Sequence, residues 1–281
     1  MRPANEPVSS RRKGGNVTST GTRRSRNWLI GHYRAPVLCR MCELGTDQIM
    51  RVFSSTLALV AALWAGQGIA QNSPVVVELF TSQGCSSCPP ADAVLAELAM
   101  RDDVIALALH VDYWDYIGWK DAFAQPKFTE RQQSYASFVG EGVVYTPQMM
   151  IGGLDSVIGS DAMALMDAVA AHGAARSAVR LGLTRHGDAL TISAQAVAPV
   201  EGPMTVQLIR YTPEQTVDIG SGENAGQSIR YVNVVTTWET IGEWDGIAPL
   251  VIDMDLTGSD PAVVIVQKTG PGRIIAAARL R

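Results

Sequence analysis

The amino-acid sequence predicts an α/β domain followed by an all-β, sandwich-like domain. Strand and helix patterns alternate over residues 71–175, which favours a mostly parallel sheet with helices on its faces. Residues 176–281 change to short alternating strands joined by Gly-rich and Asp-rich turns, as in a β-sandwich. With 281 residues, 47% of them hydrophobic and 18% charged, the chain has enough apolar surface for two cores.

Residues 50–70 predict a signal peptide, because an arginine is followed by an apolar run over residues 57–65 and then by small residues at a cleavage site. The run is shorter than the roughly 20 residues that span a bilayer, which disfavours the alternative of a transmembrane anchor. We interpret residues 1–49 as a disordered or spurious extension, with translation beginning at Met50. The protein is therefore expected to be exported, periplasmic or secreted, without a stable membrane span after signal cleavage.

Three patterns open the α/β domain. Residues 75–80, VVVELF, form a continuous run that is typical of a strand buried on both faces. Residues 91–100 have helical spacing, and residues 104–111 predict a second buried strand. The apolar positions of the predicted helix are Ala91, Val94, Leu95 and Leu98.

Residues 125–139 predict an amphipathic helix with three aromatic side chains toward the core. These side chains are Phe128, Tyr135 and Phe138. A short antiparallel hairpin is predicted about Gly152-Gly153, and a closing helix follows with its N-cap at Asp161. The resulting order, β-α-β-α-β-β-α, is that of a thioredoxin-like domain.

The all-β region contains several short strand patterns separated by turns. The segments are VRLGLT, LTISAQA, MTVQLIRY, IRYVNVV, PLVIDMDL, AVVIVQK and RIIAAARL. Their spacing predicts a sandwich-like domain over residues 176–281.

The charge distribution argues against nucleic acid as a partner. Residues 71–281 hold thirteen Lys/Arg against twenty-four Asp/Glu, an excess of eleven negative charges. Affinity for nucleic acid comes largely from Lys and Arg that release counterions from phosphates, so such a surface repels the phosphate backbone.

Cys85 and Cys88 stand between the first strand and the first helix and are the two cysteines of the predicted mature chain. An exported protein meets an oxidising compartment, so we expect them to form a disulfide. The partial positive charge of a helix N-terminus favours the thiolate of Cys85. The spacing alone leaves three interpretations: a redox pair, half of a metal site, or a structural staple. The second CxxC, Cys39 and Cys42, lies in the extension and is interpreted as coincidence.

Four segments resemble a family of secreted bacterial proteins catalogued as domain of unknown function 1223, in the thioredoxin-like superfamily. They are VVELFTSQGCSSCPPAD, HVDYWDYIGWKDAFA, VYTPQMMIGG and GENAGQSIRYVNVV. The resemblance implies a fold and an export route, but no activity.

By analogy with thioredoxins, the resemblance implies that Cys85 is the attacking thiol and Cys88 the resolving thiol. Pro147 would be the cis-proline on the substrate side, with Thr146 before it facing the cysteines. The sequence departs from well-known oxidoreductases in having Ser86-Ser87 between the cysteines. Two prolines follow at once, which raises the possibility of a delayed helix start.

The aromatic segment after the second strand has two interpretations. The carboxyl ends of neighbouring strands share one sheet edge, so this segment and the cysteines are expected to line one cleft. In the functional interpretation His110, Asp112, Tyr113 and Trp114 bind substrate beside the disulfide, and His110 or Asp112 moves protons. In the favoured structural interpretation the rings belong to the core and the acids are solvated or capping residues.

Two further features carry weaker hypotheses. Copper or zinc handling would add His110 and Asp112 to the two thiolates, and is disfavoured because their separation is unknown. The loop SGENAGQ is interpreted as a turn with a satisfied polar network, the alternative being a binding loop that faces the first domain.

The sequence therefore predicts an exported thiol-disulfide oxidoreductase without a cofactor. Its expected partners are extracytoplasmic protein thiols or a redox partner protein. The alternative is a non-catalytic binding protein that keeps the disulfide as a structural staple.

Overall fold

A computed structural model describes residues 73–280 of the chain. The predicted extension and signal peptide, including Cys39 and Cys42, lie outside these residues. Among the residues that are described, no helix has the length and apolar character needed to cross a membrane.

The first half of the described chain alternates strands and helices. A single 3₁₀ turn, Asp115–Ile117, lies between the second strand and the second helix. The elements are β1 Val75–Thr81, α1 Pro89–Ala99, β2 Val104–His110, α2 Pro126–Val139, β3 Gln148–Ile151, β4 Asp155–Ile158 and α3 Ala162–Ala174.

The second half contains only strands as regular elements, and two of them are long. These strands are β5 Val179–His186, β6 Ala189–Ala196, β7 Met204–Asp218, β8 Ser228–Trp244, β9 Leu250–Asp255, β10 Ala262–Lys268 and β11 Ile274–Leu280.

The strands of both halves form one mixed eight-stranded sheet in the order β11-β10-β7-β8-β2-β1-β3-β4. Strand β1 runs parallel to β2, and β2 runs parallel to β8, while the other neighbours are antiparallel. A separate three-stranded sheet has the order β5-β6-β9.

This topology corrects the predicted fold class. A thioredoxin-like α/β domain followed by an independent β-sandwich is wrong, because four strands from the second half extend the sheet of the first half. The join is made where Ala108 of β2 pairs with Val234 of β8, and the Asn233 amide donates to the Ala106 carbonyl at 2.8 Å. Backbone pairing between residues so far apart leaves no local pattern in the sequence, which is why the pattern of strands suggested two domains.

The large sheet is covered on both faces. Helix α2 packs on one face through Phe128 and Tyr135. Helices α1 and α3 cover the opposite face of β1, β2 and β3. Farther along the sheet, the three-stranded sheet packs against β7 and β10. Strand β10 shows the division clearly, since Val263 and Ile265 face the α2 side while Val264 and Val266 face the small sheet.

Most of the individual helices and strands form where the sequence patterns predict them, although the predicted fold class is wrong. The β3–β4 hairpin is antiparallel, as predicted. Asp161 caps α3 by accepting a hydrogen bond from the Ala164 N–H at 3.0 Å. The prediction that Phe138 faces the core is wrong: its side chain is 54% exposed near the end of α2.

Candidate functional site

The candidate site centres on a disulfide between Cys85 and Cys88, in the turn that joins β1 to α1. Both cysteines are 0% exposed, whereas Ser86 and Ser87 between them are exposed. The Ser87 hydroxyl lies 3.4 Å from the Cys85 sulfur, and it must be the donor because a disulfide sulfur carries no proton. Ser87 is therefore the polar group on the solvent side of the Cys85 sulfur.

Helix α1 begins directly after the disulfide. Pro89 and Pro90 occupy its first turn, where N–H groups would lack a partner in any case, so they do not delay the helix. The N–H groups of Ala91 and Asp92 both donate to the Cys88 carbonyl, at 2.8 and 3.1 Å. Cys88 is thus fixed as the N-cap of α1.

The predicted proline lies close to this helix start. The Thr146–Pro147 peptide bond is cis, and Pro147 is buried. A Cβ at Gly159 would lie 2.9 Å from the Cβ atoms of both Ala91 and Pro147, so only glycine allows these segments to approach so closely. The structure therefore brings Pro147 together with the first turn of α1.

Trp114 connects the proline segment to the cysteine turn. Its Nε1–H donates to the Thr146 hydroxyl at 2.7 Å. A Cβ at Gly84 would lie 3.2 Å from the Trp114 Cβ and from the Ile117 side chain, so the aromatic segment covers the residue directly before Cys85. Of the predicted substrate-binding residues, Trp114 and Thr146 lie beside the cysteine turn.

Asp112 and Tyr113 point instead toward helix α2. The Thr129 hydroxyl donates to Asp112 at 2.6 Å, and the Tyr113 hydroxyl donates to Gln132 at 3.1 Å. Burial raises the pKa of Tyr113 to about 12. Asp112 thus anchors the aromatic segment to α2, as in the structural interpretation. The Tyr113 hydroxyl contacts both Gln132 of α2 and the Thr146 hydroxyl, directly before Pro147.

His110 lies at the end of β2 and is fully buried. Its Nδ1 is 2.7 Å from Oδ2 of Asp121, an oxygen that also accepts the Gln83 N–H at 2.8 Å. Burial alone would raise the pKa of Asp121, but His110 and these hydrogen bonds hold it below its usual value. An ionised carboxylate only accepts hydrogen bonds, so the proton of this contact is carried by Nδ1 of His110.

Asp92 is a buried residue that the sequence patterns did not single out. It lies in α1 one turn after Cys88, and the Thr81 hydroxyl donates to its Oδ1 at 3.0 Å. Burial raises its pKa to about 7, against opposing effects of His110 and the Thr81 hydroxyl. The available signal was an acidic residue directly beside Ala91, on the apolar face of a predicted helix.

The loop between β7 and β8 reaches the disulfide. The side-chain amide of Asn224, which is 1% exposed, donates to the carbonyls of Gln83 and Cys85 at 2.9 and 3.0 Å. The loop therefore faces the first half of the chain, and the Asn224 amide is satisfied there, while binding by this loop stays a prediction. Asn224 is thus a buried brace of the candidate site.

Replacing Asn224 by alanine is expected to destabilise the protein by about 2 kcal/mol, because the carbonyls of Gln83 and Cys85 lose the Asn224 amide as a donor, although the Cys85 carbonyl keeps the N–H of Cys88. The released turn should also let a small thiol reduce the disulfide faster. Urea unfolding and the rate of reduction by dithiothreitol measure the two effects. Asn233→Gly is the matched control: it removes one side-chain hydrogen bond to the Ala106 carbonyl in β2 and none to the cysteine turn, and its reduction rate should match that of the unmodified chain.

The described residues offer few candidate metal ligands. Within residues 73–280, no group of three or more His, Cys, Asp or Glu side chains is arranged to hold a metal ion. His110 is held by Asp121 and Asp112 by Thr129, so the predicted ligand set is not assembled around the cysteines.

The chain matches one family model and is similar to two solved structures. A family model described as "Protein of unknown function (DUF1223)" matches residues 76–267. The search of curated proteins found no significant match. A crystal structure of a protein from Agrobacterium tumefaciens is similar at 34% identity and a TM-score of 0.65, over 75% of this chain and 95% of that one. HBP35 of Porphyromonas gingivalis is 14% identical with a TM-score of 0.48, over 74% of this chain and 75% of that one.

Proposed function

Because the chain belongs to the DUF1223 family, whose description names no activity, we propose a function from the site itself: an exported thiol-disulfide oxidoreductase acting on protein thiols outside the cytoplasm. The Cys85–Cys88 disulfide supports both parts of this proposal, since disulfides persist in oxidising compartments. No cofactor is needed, because the two sulfurs themselves carry the two electrons.

The short span of the disulfide is the observation that carries the proposal. Cys85 and Cys88 are only three positions apart. In the chain-entropy account, so small a loop contributes about 2 kcal/mol to stability, against about 3 kcal/mol for a 15-residue loop. A disulfide that constrains the unfolded chain so weakly is better suited to opening and closing than to stapling.

The surroundings of the two sulfurs support different roles for them. The sulfur of Cys85 faces the exposed serines and accepts a hydrogen bond from Ser87, which would also stabilise its thiolate in the reduced protein. Cys88 is fixed at the start of α1. We assign Cys85 as the sulfur that exchanges with substrate and Cys88 as the resolving sulfur. Both are covered in the disulfide state, so a substrate thiolate enters only when the Ser86-Ser87 turn or the Trp114 segment moves.

The proposal predicts a reduction potential between about −270 and −120 mV, the range of thiol-disulfide exchange proteins. It is measured by equilibration against glutathione buffers. Cys39 and Cys42 are replaced by serine in the full chain, so that the measured potential belongs to Cys85 and Cys88 alone. Cys88→Ser should then trap mixed disulfides with partner proteins from an extracytoplasmic extract, and Cys85→Ser, the matched control, should trap none.

A second function is favoured by the complete burial of both cysteines. In that case the protein is a binding protein whose disulfide is structural. A reduction potential below about −300 mV with no trapped partner would establish this function and overturn the oxidoreductase.

A further inference from the structure

A cavity of about 310 Å³ lies at the amino end of β1. Four parts of the chain line it: the start of β1, the end of α3 with the residues after it, the loop between β6 and β7, and the end of the β10–β11 hairpin. The cysteine turn follows the other end of β1, a strand of seven residues that is about 20 Å long. The cavity is thus separate from the candidate redox site.

The charged side chains of this cavity are mostly cationic. Within the part of the chain that the structure describes, Arg176, Lys268 and Arg273 line it together with one carboxylate, Glu201. Arg176, Arg273 and Glu201 are exposed, and Lys268 is half-buried. Three positive charges against one negative charge leave the cavity with two positive charges that are not compensated.

Uncompensated cations are unexpected on this surface. Residues 73–280 hold twelve Lys and Arg against twenty-four Asp and Glu, and five of the arginines form ion pairs. Among these same residues, Arg176, Lys268 and Arg273 form no ion pair, although acids are in excess. A cavity that gathers such cations attracts negatively charged ligands.

Two of the cations are neighbours at the end of the β10–β11 hairpin. The Lys268 N–H donates to the Arg273 carbonyl at 3.0 Å, so the two residues lie across from each other on adjacent strands. Like charges in cross-strand positions destabilise a hairpin. Because proteins retain such unfavourable arrangements mainly at functional sites, this pair supports a role in binding an anion.

The walls of the cavity belong to the packed fold. The Ser177 hydroxyl donates to the Ile275 carbonyl at 2.9 Å, which ties the chain after α3 to β11. His172 forms another part of the wall, where its Nε2 lies 2.7 Å from Oδ2 of Asp155. A Cβ at Gly152 would collide with the His172 ring, so only glycine allows this close approach. The cavity therefore does not depend on a ligand for its shape.

The volume and lining of the cavity indicate the class of ligand. Small-molecule sites have volumes of about 300–1,000 Å³, so this cavity fits a small molecule. Pro74, Val200 and Ile275 supply apolar wall for the body of such a molecule. The guanidinium fork of arginine matches the oxygens of phosphate, and a phosphate monoester carries nearly two negative charges at neutral pH.

We propose that this cavity binds a small organic phosphate, with the phosphate group between Arg176, Lys268 and Arg273. The dianion balances the two uncompensated charges, and the arginine forks donate to its oxygens. The organic part lies against the apolar wall, and the carboxylate of Glu201 weakens binding by repulsion. The proposal needs neither sulfur of the disulfide and goes beyond the oxidoreductase function.

The test is isothermal titration calorimetry of the full chain with glycerol 3-phosphate, at low ionic strength because salt screens exposed charges. We expect one site with a dissociation constant below about 1 mM. Arg273→Gln should weaken binding at least about tenfold, since charge-assisted hydrogen bonds are lost. Arg180→Gln is the matched control, because it removes an exposed arginine of β5 outside the cavity and should keep the affinity.

One further variant and two further ligands sharpen the test. Glu201→Gln removes the opposing carboxylate and should tighten binding of glycerol 3-phosphate about threefold. Inorganic phosphate should bind more weakly, because it leaves the apolar wall uncovered. Succinate should also bind more weakly, because its two charges are farther apart than those of one phosphate group. Circular dichroism confirms that each variant is folded.

Three outcomes would overturn the proposal: no binding up to about 10 mM glycerol 3-phosphate, an equal loss of affinity in Arg180→Gln and Arg273→Gln, or tighter binding of succinate or inorganic phosphate. The second outcome would mean diffuse attraction to exposed cations, and the third a different class of anion. None of these measurements depends on the reduction potential of Cys85 and Cys88, so this proposal and the oxidoreductase function can fail separately.

Discussion

Replacing Glu78 by alanine is expected to lower the free energy of unfolding by about 3–5 kcal/mol, because it leaves the charge of Arg131 uncompensated inside the fold. Glu78 lies in β1 and is fully buried. Its two carboxylate oxygens accept from Nε and Nη2 of Arg131 at 2.6 and 2.9 Å, and the Tyr135 hydroxyl donates to one of them at 2.8 Å. This ion pair holds helix α2 against the centre of the large sheet.

The network around this ion pair extends into the second half of the chain. The Arg131 guanidinium lies 3.8 Å from the ring centroid of Trp238 in β8 and donates to Gln267 in β10 at 3.2 Å. Loss of Glu78 should therefore loosen the contact of α2 with strands from both halves. Cation–π contacts of this kind add about 0.5–2 kcal/mol when they are shielded from water.

Urea unfolding, followed by circular dichroism and tryptophan fluorescence, measures how much unfolding free energy Glu78→Ala loses. The matched control is Glu214→Ala, which removes an ion pair to Arg230 of similar length, 2.8 Å, whose side chains are 57% and 56% exposed. The control should lose no more than about 1 kcal/mol, since solvent screens exposed pairs. If Glu78→Ala loses no more than the control, the buried pair does not stabilise α2 as inferred.

Replacing Asp92 by asparagine is expected to remove a large part of the pH dependence of stability. The pKa of Asp92 is about 7 in the folded protein, against 3.8 for an aspartate that is exposed to water, as in the unfolded chain. Because the folded value is raised, its stabilising contribution is complete below pH 3.8 and is lost as the pH rises through 7. Between pH 5 and pH 8.5 the free energy of unfolding of the unmodified protein should therefore fall by about 3 kcal/mol more than that of Asp92→Asn.

Urea unfolding at several pH values between 5 and 8.5, with the disulfide kept oxidised, measures this difference. Glu97→Gln removes an exposed acid from the same helix and should keep the slope of the unmodified protein. Parallel pH profiles for Asp92→Asn and the unmodified protein would show that Asp92 is ionised in the fold throughout this range. A buried acid that weakens the fold at neutral pH is typical of a functional group kept at the expense of stability.

The sequence by itself determined the local elements. The β-branched run of β1, the helical spacing in α1 and the β3–β4 hairpin all follow from side-chain patterns that repeat within a few residues. The same is true of the cysteine turn, because two cysteines directly before a helix need only local geometry to form a disulfide. Pro147 also lies close to the first turn of α1, as the resemblance implied.

The tertiary structure alone decided how these elements combine. Strand pairing uses backbone groups that every residue carries, so no side-chain pattern showed that β2 pairs with β8 and that the predicted domains share a sheet. Asn224 donates a hydrogen bond to the cysteine turn from 139 residues away in the sequence. The pKa of Asp92 is raised mainly because the packed fold buries its carboxyl group away from water. A local pattern records whether a side chain is apolar, but the pKa and partners of a polar side chain depend on which distant segments surround it.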